Sequence, residues 1–125
     1  MRILILAARI LAGFIEFGLE ERGHEVRVAV DVPDAIRALE EEVHDVAILD
    51  FNPVFVSARS RLAETAGWKT PRLVLTSGDQ DEALLAMALG DDSLVKPFPF
   101  EELCTKLDAL RLVAASRRQA DSRGA

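Results

Sequence analysis

The chain has 125 residues, half of them hydrophobic and 29% charged, which suits one globular domain around a single buried core. Its formal net charge of -6 repels phosphate backbones, which argues against nucleic-acid binding through the body of the domain. The one cysteine, Cys104, cannot close an internal disulfide and fits a reducing compartment, and no Cys/His cluster suggests zinc.

Arg2 to Ala7 (RILILA) is a short, nearly all-apolar run, the pattern of a parallel strand covered on both faces. Met1-Arg2 before such a run imitates a signal peptide, but Arg9 and Glu16 break the run and no convincing cleavage site follows. No uninterrupted apolar stretch approaches the length of a membrane span, so the cytoplasm is the expected compartment. Leu11, Phe14, Ile15, Gly18 and Leu19 then recur at helical spacing, opposed by Glu16, Glu20, Glu21 and Arg22, and Gly23 stops the helix. His24 to Val30 alternates towards a second strand. Asp31, Pro33 and Asp34 form a helix start, with Ala35, Ile36, Leu39 and Val43 as its apolar stripe. Asp45 to Leu49 is a third strand, ending at Asp50.

The stretch from Phe51 to Trp68 has the weakest pattern; Ser57 to Ala66 has the composition of a helix closed by Gly67. Arg72 to Leu75 is a fourth strand, and Thr76-Ser77-Gly78-Asp79 reads as a loop. Asp81 to Leu89 is a short fourth predicted helix closed by Gly90, Ser93 to Val95 a fifth strand, and Lys96-Pro97 ends it. Phe100, Leu103, Leu107, Leu110 and Val113 trace one face of a closing helix. From Ser116 the chain turns polar and small, so residues 1–115 form the expected domain and 116–125 an expected flexible tail.

Strands alternating with helices predict an α/β domain, a doubly wound five-stranded parallel sheet with helices on both faces. Right-handed crossovers leave the flavodoxin-like strand order 2-1-3-4-5 as the leading topology. Ligands of such sheets collect at the carboxyl ends of the strands, which selects Ala7, Ala8 and Arg9, then Asp50 and Asn52, then Thr76 and Ser77, and finally Lys96. A carboxylate, a hydroxyl and an amine meeting there can surround one small anion, the carboxylate as nucleophile, the lysine and threonine as partners of phosphoryl oxygens. Each residue alone is an ordinary turn, cap or loop residue; the ordered set on consecutive strands is the specific signal.

With that set in place the chain resembles the receiver domain of two-component response regulators over Arg2 to Val113. The resemblance is carried by RILIL, by DVAILD ending in Asp50, by RLVLTSGD with Thr76, and by LVKPF with Lys96 and Pro97 followed by an EEL helix start. It implies that Asp50 is the phospho-acceptor, Thr76 the switch hydroxyl and Lys96 the phosphate-binding lysine. It also implies a cis Lys96-Pro97 bond, Asn52 as the donor of a backbone carbonyl to a metal, and a histidine kinase or phosphotransfer protein as partner.

The departures from the family pattern carry as much information. Where the family places two acidic residues after strand one, this chain has Ala7 and Ala8. Magnesium requires hard oxygen ligands that methyl groups do not supply, so the expected metal and cofactor complement is none. The chain has no tyrosine, and Ser93 stands at the family's aromatic switch position. Pro53 follows Asp50 closely, in place of the usual turn of that loop. The expectation is an Asp50–Lys96 pair that holds one conformation. Arg9 either covers the vacated cation position or points to solvent as the first residue of a helix.

The leading reading is therefore an atypical receiver that signals by protein contact. The alternative is a working phospho-acceptor modified at Asp50. An enzyme is not expected, since neither a Gly-rich phosphate fingerprint nor a G-x-S-x-G elbow is present. Nothing after the fifth predicted helix resembles a DNA-binding helix pair, so output through a partner is expected. By family analogy that partner is a downstream effector, or a second copy docked through the fourth helix, fifth strand and fifth helix. His24 and His44 read as surface turn residues, Cys104 as a packing residue, and Phe98 and Phe100 as filling the junction before the last helix.

Overall fold

The computed structural model describes residues 1–50, 70–81, 84, 86 and 90–124, the last five of these by backbone alone. Five strands, β1 (Arg2–Leu6), β2 (Glu25–Ala29), β3 (Val46–Asp50), β4 (Arg72–Thr76) and β5 (Asp92–Val95), form one sheet in the order β2-β1-β3-β4-β5. Every pairing is parallel, as the sequence pattern predicts. The described helices are α1 (Arg9–Glu21), α2 (Val32–Glu41) and a C-terminal helix, α3 (Phe100–Gly124). Gln80, Asp81, Leu84 and Ala86 are also helical, within the predicted fourth helix.

Strand side chains alternate between the two faces, and the core divides accordingly. On one face Ile3, Ile5, Val46, Ile48, Leu73 and Leu75 pack with Ile15 and Leu19 of α1 and with Leu103 and Leu107 of α3. On the other, Leu4, Leu6 and Ala47 meet Val32, Ala35 and Ala38 of α2. Burying each Leu or Ile side chain contributes roughly 1.5–3 kcal/mol, which makes this sandwich the main source of stability. Local chemistry sets the helix ends. The Asp31 carboxylate accepts from the Asp34 backbone N–H at 2.8 Å to cap α2, and Gly23 takes positive φ just after α1.

Several expectations are corrected. Phe14 does not join the buried stripe of α1; it is exposed and meets Phe100 edge-on, with ring centroids 6.5 Å apart. Val43 lies beyond the end of α2 and is exposed, because the backbone turns extended at Glu42. Thr76 is the buried last residue of β4, its carbonyl accepting from the Lys96 N–H, and the loop begins only at Ser77. His44 is not a surface residue: it is 2% exposed, and its main-chain neighbours pass directly into β3. The helix α3 also runs through residues 116–124, where a flexible tail was expected. Arg117 reaches Asp91 at 2.5 Å and Arg118 reaches Asp45 at 3.3 Å, tying that extension to the amino-terminal edge of the sheet. The expectations on Asn52, Pro53, the helix from Ser57 to Ala66 and Trp68 fall outside the described residues.

Candidate functional site

The register of the sheet brings its carboxyl ends level. Leu6 pairs with Leu49, Asp50 with Leu75, and Thr76 with Val95. Ala7, Asp50, Thr76 and Lys96 therefore follow or close four neighbouring strands along one edge. Asp50 is 5% exposed, and a carboxylate that deep requires a charged or hydrogen-bonding partner. Lys96 supplies it: Nζ lies 2.5 Å from Oδ1. The backbone N–H of Lys96 donates to the Thr76 carbonyl at 2.7 Å, so the same residue is fixed at both ends. The Lys96-Pro97 bond is cis, as the resemblance implied.

The remaining residues singled out from sequence divide. Ala7 is half-buried and packs against the core, and Ala8 is the exposed N-cap of α1, where it offers no side-chain cap. Arg9 opens α1 exposed, and no described residue pairs with it. Ser77 and Pro97 are exposed beside the site. Ser93 sits half-buried in β5, and its backbone N–H donates to Asp92 at 2.8 Å. Asn52 lies outside the described residues. Cys104 packs against the core, where burial pushes its thiol up from the ordinary value, and Phe98 and Phe100 pack at the same junction.

The fit of a magnesium ion is decided by donor chemistry. Of the described positions singled out from sequence, Asp50 is the one carboxylate, and an ammonium already holds it. The two methyl groups at Ala7 and Ala8 offer no oxygen to a hard cation that wants near-octahedral coordination. Among the described residues, no group of three or more His, Cys, Asp or Glu side chains could hold a metal ion.

No protein-family model matches the chain. Relatives nevertheless share both its sequence and its fold. The two-component response regulator PhoP of Pseudomonas aeruginosa is 36% identical over 96 residues, covering 74% of this chain and 43% of that protein. The receiver domain of the Francisella response regulator 1452 superposes with a TM-score of 0.75 at 26% identity, over 88% of this chain and 95% of that domain. The chain is a response-regulator receiver domain. It spans about half the length, or less, of the curated relatives it matches. A further receiver, from a Pseudomonas aeruginosa sensor histidine kinase, matches at 26% identity and TM-score 0.73, over 88% of this chain and 96% of that one. That structure holds a magnesium ion coordinated in its active site cleft. The relatives it matches are response regulators, and among the described residues no helix is long and apolar enough to cross a membrane.

Sequence reasoning missed His44 at the opposite edge. Its Nδ1 lies 3.1 Å from the Glu42 carbonyl, and its buried Nε2 has no hydrogen-bond partner among the described residues. Burial, above all, pushes the imidazole below the ordinary histidine value. A histidine flanked by Val43 and Asp45 in a turn gives no local sign of this.

Proposed function

We propose that this domain is a receiver that works without a metal and carries its signal by protein contact, with phosphorylation of Asp50 slow or absent. The observation that supports it is the 2.5 Å contact between Lys96 Nζ and Asp50 Oδ1, beside two alanines. Phosphoryl transfer to a carboxylate depends on neutralising charge that develops on the phosphoryl oxygens. Here Lys96, the cation that pairs with Asp50 among the described residues, already serves the carboxylate itself. The partner is a histidine kinase, a phosphotransfer protein or a downstream effector, and the cytoplasm is where such partners would meet this acidic surface.

Incubation with acetyl phosphate and magnesium, read by intact mass, tests the proposal. The expected spectrum is that of the unmodified chain. A phosphoryl adduct that Asp50→Asn abolishes would overturn the proposal and establish the alternative, a working phospho-acceptor.

A further inference from the structure

Helix α1 carries an unpartnered apolar stripe. Ile10 is 89% exposed, Phe14 65% and Phe17 67%. Isolated exposed apolar side chains are ordinary on a protein surface, but these three lie on one line of a single helix. Positions 10, 14, 17 and 21 follow the four-three-four spacing of a coiled-coil seam, with Glu21 at its carboxyl end. Phe100 widens the patch from the neighbouring helix, edge-on to Phe14. Gly13 flanks the stripe with open space where a Cβ would stand, so a second backbone can approach closely there.

The charges around the stripe indicate what covers it. Arg9 precedes it, and Glu20 and Glu21 close it; all are exposed and have no ion partner among the described residues. A second copy of α1, laid antiparallel about a two-fold axis near Phe14, places Arg9 level with residue 19 of the copy. That leaves an axial offset of about 1.5–3 Å to Glu20 and Glu21, within reach of an arginine side chain. Arg9 and Glu20 also lie on the same flank of the stripe, and like flanks meet in an antiparallel pair. The symmetry repeats the contact twice, as an isologous interface requires.

We infer that α1 is a self-complementary docking surface, through which two copies of this chain pair antiparallel with Phe14 at the centre and Arg9 against the acidic end of the partner helix. This surface does not depend on the state of Asp50. It is also separate from the face around Val95, which family analogy favours for pairing.

Sedimentation of the full chain across micromolar to submillimolar concentrations reads the pairing directly, with circular dichroism confirming that each variant is folded. The wild type is expected to dimerise. Phe17→Glu, at an exposed position, is expected to weaken the dimer by about tenfold or more, whereas Val95→Glu leaves it unchanged. Arg9→Glu and the double variant E20R/E21R should each be weakened alone, since both place like charges together. Mixed in equal amounts, they should form a heterodimer, because both contacts are then restored with the signs exchanged. A chain that stays monomeric throughout would overturn the inference and leave α1 to a different protein. A dimer lost in Val95→Glu but not in Phe17→Glu, or the absence of a heterodimer, would overturn it equally.

Discussion

Lys96, the first residue after β5, holds the carboxylate that ends β3, Nζ to Oδ1 at 2.5 Å across 46 residues of sequence. The two partners differ in burial: Asp50 is almost wholly enclosed, while Lys96 keeps access to water. Their removal should therefore be unequal. Lys96→Met strands a buried carboxylate and is expected to cost about 2–4 kcal/mol. Asp50→Asn leaves an ammonium that solvent still reaches, and should cost about 1 kcal/mol or less. Urea denaturation of both variants checks the order as well as the size.

If the domain works without a metal, as proposed, placing an acidic pair at positions 7 and 8 should create a metal response that the wild type lacks. In A7D/A8D three carboxylates converge on one lysine, and without a cation their repulsion and the half-burial of position 7 should cost about 1–3 kcal/mol. Magnesium should recover that loss by binding only the folded form. The wild type should show no comparable gain at matched ionic strength. Aspartate at position 8 also offers a cap to α1, so the magnesium dependence of the melting temperature, rather than its absolute value, is the decisive readout.

The sheet and the Asp50–Thr76–Lys96 edge were legible because both rest on strong local signals. Apolar runs mark buried parallel strands, and polar residues at their carboxyl ends mark the site. What escaped was decided by contacts distant in sequence. Helix α1 is apolar on almost every side, with Ile10, Leu11, Phe14, Ile15, Phe17 and Leu19, so periodicity alone did not separate the buried Ile15 from the exposed Phe14. Residues 116–124 have no apolar stripe, yet Arg117 and Arg118 find carboxylates 26 and 73 residues away.

Stability should fall as the pH drops below the ordinary histidine range. His44 is pushed down mainly by burial, and His24 by burial and then by the N-terminal ammonium 3.1 Å from its Nδ1. The folded chain then binds fewer protons than the unfolded chain. Stability is accordingly complete above the unfolded value of about 6.5 and is lost as pH falls from there towards the lower folded values. Asp91 acts in a separate, more acidic window. Burial alone would raise its carboxyl, but the Arg117 guanidinium and the Arg72 backbone N–H outweigh that and hold it lower. Its contribution is present above about 4 and is lost as pH falls through its depressed folded value. Thermal melts from neutral to acid pH should show the first decline flattened in His44→Gln and the second flattened in Asp91→Asn.

Gly18 lies beneath the Phe100 ring, where an added Cβ would stand 2.5 Å from the ring tip. Alanine in a helix interior normally gains about 1 kcal/mol over glycine. Here the overlap must be relieved by moving a ring that is held edge-on by Phe14 and faced by the Arg22 guanidinium 5.1 Å from its centroid. Gly18→Ala is therefore expected to destabilise by about 1–3 kcal/mol, reversing the usual sign. Phe100→Leu should also destabilise, through lost packing against the α1 face of the core. Combined, the two changes should cost less than their sum, because the smaller side chain leaves room for the new methyl group. A double-mutant cycle by urea denaturation measures that coupling. A strictly additive result would mean that Phe100 is not what requires glycine at position 18.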